Sequence, residues 1–138
     1  MRPWKKIDEK LVYDGFRKII SKRFILPDGR KESFEIVSDN SVVAILAFSS
    51  PQEVLLVRQF RPGTEKFYDE LPAGALEEGE TPLKAARREL LEETGYQGDL
   101  EFIGSIVDCA YRNTMRYCFL ARECQKTQEI QCDRNGFR

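Results

Sequence analysis

Three glutamates set the chemical question in this chain. Glu89, Glu92 and Glu93 fall in a segment with helical patterning, at spacings i, i+3 and i+4, and so share one face. Like charges at these spacings repel by about 0.2–0.5 kcal/mol per pair in water. They also stand toward the helix C-terminus, the end whose dipole disfavours anions. A hard divalent cation removes both conflicts, and Mg²⁺ suits the ligands best: it takes oxygen donors and usually sits between carboxylates and substrate phosphates. The alternative is a solvated acidic face, partly neutralised by Arg88 at i,i+4 to Glu92. Upstream, Glu80 is expected to pair with Arg88 and fix the preceding loop against the helix. The sequence contains no histidine. Ser-His-Asp and Cys-His catalysis, imidazole metal ligands and imidazole pH switching are therefore excluded. Acid–base chemistry is left to carboxylates, lysine, tyrosine, cysteine or metal-bound water.

The segment from Gly74 to Tyr96 carries more than the acidic cluster. It fits the pattern G-x5-E-x7-R-E-U-x-E-E-x-G-U, where U is a bulky aliphatic residue. Gly74, Glu80, Arg88, Glu89, Glu92, Glu93 and Gly95 occupy the fixed letters, and Leu90 occupies the first U. Tyr96 at the last U is aromatic, a departure that bears on packing more than on chemistry. From average residue usage, such a match arises by chance at any one start on the order of 10⁻⁸ of the time. The chain thus resembles a Nudix hydrolase. The resemblance implies an α/β/α sandwich with a mixed β-sheet and Mg²⁺-dependent hydrolysis of a nucleoside diphosphate linked to another group, with Mn²⁺ as a substitute metal. It implies that Glu89, Glu92 and Glu93 are the metal-binding and catalytic carboxylates, and that Glu80 and Arg88 are the supporting ion pair. Metal ions on diphosphate oxygens neutralise charge, orient the attacking water and stabilise the leaving phosphate.

A second motif narrows the resemblance. Val57-Arg58-Gln59-Phe60-Arg61-Pro62, followed by Glu70-Leu71-Pro72-Ala73-Gly74, is similar to the ADP-ribose and nucleoside diphosphate sugar pyrophosphatase branch of that family. The similarity to the branch runs from about residue 10 to residue 104. It implies that the Ala73 carbonyl is a further metal ligand. It also implies that Arg58, Arg61 and Glu70 contact substrate, in keeping with the suitability of arginine for bidentate phosphate recognition. Branch members are usually dimers joined through N-terminal strands, so a homodimer is implied, with Trp4, Phe16 and Phe24 as candidates for base stacking or for packing.

The chain departs from the branch in two places. The loop Asp108-Cys109-Ala110-Tyr111-Arg112-Asn113 has neither proline nor glycine, which leaves the nucleoside and sugar open; Tyr111 and Arg112 are candidates to face the ligand. Near the end, Asp133-Arg134-Asn135-Gly136-Phe137 has Arg134 and Gly136 where a base-supplying loop would carry glutamates. The general base must reach the attacking water, and Glu92, Glu93, Glu129 and Asp133 remain open for it. Two further readings stand beside the leading one: a pyrophosphatase of nucleoside triphosphates that removes modified nucleotides, and a non-catalytic ligand-binding module of the same fold.

These residues need elements to position them. The chain has 138 residues, the size of one domain. The expected organisation is a single domain, with residues 1–38 as N-terminal, dimer-forming strands and residues 39–138 as the catalytic core. With 22 Lys+Arg against 23 Asp+Glu, no basic field marks a nucleic-acid binder, and a small nucleotide is the expected partner. No apolar run is long enough for a membrane span, and no signal peptide is evident, so the cytoplasm is expected. Cys109, Cys118, Cys124 and Cys132 lack any C-x-x-C pairing and read as free thiols, with no zinc site. The expected class is α/β (α+β). Residues 11–20 read as a weak strand. Residues 23–26 and 32–37 read as a hairpin about Asp28-Gly29. Residues 41–48 read as a strand buried on both faces, and residues 53–60 as one further strand. Thr81 as N-cap, Pro82 at the first position and Gly95 as stop delimit the helix, with an apolar stripe at Leu83, Ala86, Leu90 and Leu91. Residues 100–107 and 115–121 read as strands, and residues 122–138 remain ambiguous.

Overall fold

Alternating polar and apolar residues dominate the chain, and the computed structural model describes residues 2–130 mostly as strands. Among them are ten strands and one helix. The chain divides into two compact units, Met1–Asn40 with Val107–Met115, and Ser41–Ile106 with Arg116–Arg138.

In the first unit, β1 (Lys5–Asp14), β2 (Lys18–Ile25) and β3 (Lys31–Ser38) form an antiparallel sheet in that order. Asp28-Gly29 turns the β2–β3 hairpin as expected: Gly29 has φ of 86°, and Asp28 Oδ1 accepts from the Arg30 N–H at 3.0 Å. The strand expected over residues 11–20 is instead the end of β1, a turn and the start of β2. Its apolar residues are cross-strand partners, Leu11 with Ile20 and Tyr13 with Ile19. Their spacing therefore records a hairpin and not one face of a strand. Trp4 stacks on Phe34 at 5.3 Å and meets Phe24 edge-on at 6.1 Å, whereas Phe16 is 99% exposed. The segment 107–115 joins β3 through Val37, which donates to Tyr111 O at 2.9 Å and accepts from the Asn113 N–H at 3.3 Å.

In the second unit, β4 (Val42–Ser50) is the central strand. It pairs in parallel with β10 (Met115–Lys126), and antiparallel with β5 (Glu53–Val54) and β8 (Ala73–Ala75); β9 (Tyr96–Val107) lies beyond β10. The burial of β4 corrects the expectation of two fully buried faces. Val43, Ile45 and Ala47 are fully buried, while the residues between them are half-buried. The buried face packs against α1 (Pro82–Thr94) through Ala85, Ala86 and Leu90, with Phe119, Ala121 and Cys124 from β10. Burial pushes the Cys124 thiol above its ordinary pKa.

The helix boundaries are those the sequence indicates. Thr81 is the N-cap, its side chain accepting from the Lys84 N–H at 3.4 Å, and Gly95 closes the helix in the left-handed region at φ of 76°. Leu83, expected in the apolar stripe, is exposed; Ala85 takes the core position. The strand expected over residues 53–60 is broken after Val54. Leu55 donates to Ala47 O at 2.9 Å and packs on the core, after which β6 (Val57–Arg61) leaves to pair with β7 (Lys66–Glu70). β10 extends to Lys126, and Thr127 and Gln128 then donate to Gly95 O at 2.9 and 3.2 Å. The mixed sheet with a helix on one face agrees with the expected α+β class. The helix of a second layer is not found among the described residues. Cys109, Cys118 and Cys124 are free thiols; Cys132, Asp133, Arg134 and Gly136 lie outside the described residues.

Leu90 is 1% exposed and sits between helix and sheet. Leu90→Ala is expected to lower stability by about 2–5 kcal/mol, as truncation in a packed core does. Leu83→Ala should cost clearly less. Denaturant unfolding of both variants checks the assignment of the buried face.

Candidate active site

The site is built where β8 passes beneath α1. β8 is held by its ladder to β4, in which Val43 faces Gly74 and Ala44 faces Ala73. Above it, helical spacing turns Glu89 and Glu93 inward together, and both are only 4% exposed. Glu92 lies one step round the helix and is half-buried. Gly74 makes the approach possible: a Cβ there would sit 1.9 Å from Glu89 Oε1. The fixed glycine of the sequence pattern thus leaves room for a carboxylate.

Buried carboxylates require compensation, and Arg88 supplies most of what is seen. Its Nε and Nη2 donate to the two oxygens of Glu80 at 3.0 and 2.9 Å, and Nη2 also reaches Ala75 O at 3.0 Å. Its Nη1 donates to Glu89 Oε1 at 2.7 Å and to Glu92 Oε2 at 3.4 Å. The expected Glu80–Arg88 pair is therefore present, and it extends onto the helix. The hydrogen bonds that Arg88 donates to Glu80, and then to Glu89, raise its pKa further above the ordinary value. Arg88, assisted by the Glu77 N–H, holds the Glu80 carboxyl below the usual carboxylate range.

Glu93 is held differently. Its Oε2 accepts from the Ala73 N–H at 2.8 Å, and its Oε1 accepts from Gln59 Nε2 at 3.0 Å. Gln59 lies on β6, and the pairing of β6 with β7 explains how it arrives there. Side chains alternate along a strand, so Val57, Gln59 and Arg61 share one face, together with Glu70, the partner of Val57. On that face Arg61 Nε donates to both Glu70 oxygens, at 3.0 and 3.1 Å, and Arg61 Nη2 also bonds Glu70 Oε2. These bonds raise Arg61 and lower Glu70 from their ordinary pKa values, with the charge of Glu93 a smaller contribution at Arg61. Arg58 belongs to the other face. It lies 3.8 Å from Asp69, and its side chain is 73% exposed. The structure thus brings Arg61 and Glu70 onto the Gln59 face and separates Arg58 from them. Gln59 is not among the site residues the sequence motif points to; its two-residue spacing from Arg61 in a strand is the feature that marks it.

The remaining candidates are engaged elsewhere. Glu129 pairs with Lys126 at 2.9 and 3.0 Å. Arg112 bonds Asp108 at 3.3 Å within the first unit. As they stand, no group of three or more cysteine, aspartate or glutamate side chains is gathered to hold a metal among the described residues. Arg88 lies against Glu89 and Glu92, and Glu93 turns onto Ala73 and Gln59. The donors nevertheless suit a hard divalent cation. All are carboxylate oxygens, and two of the three carboxylates are buried against a strand at a glycine that leaves them room.

The NUDIX domain family matches residues 39–137. The chain belongs to the Nudix family. This Nudix chain is 36% identical over 106 residues to an ADP-ribose pyrophosphatase of Bacillus subtilis, covering 75% of this chain and 57% of that one. It is 36% identical over 104 residues to an ADP-sugar pyrophosphatase of Mus musculus, covering 67% and 48%. It is 44% identical over 72 residues to a methanol dehydrogenase activator of Bacillus methanolicus, covering 52% and 39%. It thus spans about half the length of these curated relatives. The crystal structure of an ADP compounds hydrolase superimposes with a TM-score of 0.82 at 20% identity, over 97% of this chain and 75% of that one. The likeness extends to the fold, strand-rich with its one described helix.

The depressed Glu80 carboxyl gives a pH signature. Glu80 binds its proton less readily folded than unfolded, so its contribution to stability is complete above the unfolded value, about 4.3. The contribution is lost as pH falls through the lower folded value. Glu80→Gln is expected to melt below wild type at pH 7, with the gap closing as pH falls below about 4. Melting temperature against pH for both proteins tests this; a gap of constant size would show that Glu80 is not ionically paired.

Proposed function

We propose that this Nudix domain hydrolyses the pyrophosphate bond of a nucleoside diphosphate sugar such as ADP-ribose, yielding a nucleoside monophosphate and a sugar phosphate. One observation carries the reading. The β6–β7 face bearing Arg61 and Glu70 also sends Gln59 to Glu93. A guanidinium, anchored through its Nε and Nη2 on Glu70, is thereby built on the same surface that meets the acidic helix, where its charge suits a diphosphate. Relatives at moderate identity that are named ADP-ribose and ADP-sugar pyrophosphatases support the choice of substrate class.

In this reading Glu89, Glu92 and Glu93, with the Ala73 carbonyl, hold Mg²⁺, for which Mn²⁺ substitutes. The metal supplies charge neutralisation on the diphosphate and an acidified water. The chain's own groups do the rest. Arg61 and Glu70 orient the diphosphate side of the substrate. Arg88 and Glu80 fix the loop before the helix and hold Glu89 and Glu92 in place. Arg58 can serve substrate only from the opposite hairpin face, so phosphate recognition is assigned chiefly to Arg61. Residues 1–38 are read as dimer-forming strands, giving a homodimer, and residues 39–138 as the catalytic core of a single domain. Every residue of β1 is exposed in the single chain, which supports a second copy covering it. The partner is a small nucleotide, with neither membrane nor nucleic acid, and the location is the cytoplasm. No described helix is long and apolar enough to cross a membrane.

Purified protein with Mg²⁺ is offered ADP-ribose, ADP-glucose, GDP-mannose, NADH and nucleoside triphosphates, and products are identified by mass. ADP-ribose should give AMP and ribose 5-phosphate, and EDTA should abolish turnover. Glu92→Gln and Glu93→Gln should lower kcat by about 10²-fold or more while leaving the melting temperature near wild type, because they remove charge without volume. Triphosphate cleavage with sugar nucleotides untouched would replace this reading by the house-cleaning one. Binding without turnover would replace it by the ligand-binding one.

A further inference from the structure

We propose that Gln59 is a positioning residue for the reaction, setting the orientation of Glu93; the inference rests on the metal-dependent hydrolysis proposed above. Glu93 is nearly fully buried, and its two oxygens are fixed from different elements: Oε2 by the Ala73 N–H of β8, and Oε1 by Gln59 Nε2 of β6. These two donors are neutral and set the plane of the carboxylate, whereas Arg88 places a guanidinium on Glu89 and Glu92. An ionised carboxylate offers about four acceptor directions, and these two hydrogen bonds, one on each oxygen, fix its plane.

Gln59 is suited to this role by its position. It is half-buried, whereas its neighbours Arg58 and Phe60 on the other face are exposed. It stands two residues before Arg61, so the strand that carries the phosphate-binding guanidinium also carries the amide that orients Glu93. A shift of β6 that moved Arg61 would move Gln59 with it. A residue that acts through another in this way affects the charge it aims, and typically alters metal affinity or activity by about 10–100-fold when removed.

The test replaces Gln59 by methionine, which keeps the length and removes the donor. Three measurements are made: kcat and KM for ADP-ribose with Mg²⁺, Mn²⁺ binding to the substrate-free protein by electron paramagnetic resonance, and the melting temperature. The expected result is a kcat about 10–100-fold lower, a KM within about twofold of wild type, weaker Mn²⁺ binding and a melting temperature lowered by only a few degrees, the cost of one donor lost from a buried carboxylate. Should the methionine variant fold poorly, Gln59→Glu, equal in size and polar, must show the same loss of kcat. Wild-type kcat and Mn²⁺ affinity in either folded variant would overturn the inference while leaving the proposed hydrolysis intact. A wild-type protein that neither binds Mn²⁺ nor cleaves ADP-ribose would overturn both.

Discussion

The guanidinium of Arg88 is the interaction on which the site depends. Without it, Glu89 would be a carboxylate buried at the wrong end of a helix dipole, with Glu92 one turn of charge away. With it, one planar group joins the loop before the helix, the carbonyl of Ala75 and the helix itself. The fork geometry matters, because a lysine ammonium has no rigid plane with which to meet Glu80 with two nitrogens while a third turns to Glu89. The acidic cluster is thus neither a bare anionic patch nor a solvated surface. It is an organised charge set in which Arg88 holds Glu89 and Glu92, while the Ala73 N–H and the Gln59 amide orient Glu93.

Much of this was legible in the sequence, and the legible part was local. Thr81, Pro82 and Gly95 delimit the helix because capping is decided within a few residues. The Glu80–Arg88 pair and the shared face of Glu89, Glu92 and Glu93 follow from spacing alone. Asp28-Gly29 specifies its hairpin for the same reason. What escaped was decided by partners distant in the chain. Leu11, Tyr13, Ile19 and Ile20 look like one strand until Leu11 is seen opposite Ile20. The break after Val54 depends on Leu55 finding Ala47 and the core. Leu83 has the helical period of a core residue, yet it is exposed and Ala85 is buried in the core.

The separation of Arg58 from Arg61 teaches the same lesson for the site. In the motif Val57-Arg58-Gln59-Phe60-Arg61 the two arginines read as a pair of phosphate ligands. Strand alternation makes them opposites, and it raises the silent residue between them to a contact with Glu93. An odd spacing along a strand is a statement about two surfaces, and an even one about a single surface.

Among the described residues β4 has three ladder partners, and one of them, β8, is the strip of backbone under Glu89. The chamber for the acidic side chains is therefore an edge of the same hydrogen-bonded lattice that holds the interior together. Opening that lattice would disassemble the chamber in the same event, so the acidic side chains keep their places only as long as the three-residue ladder of β8 on β4 stays closed.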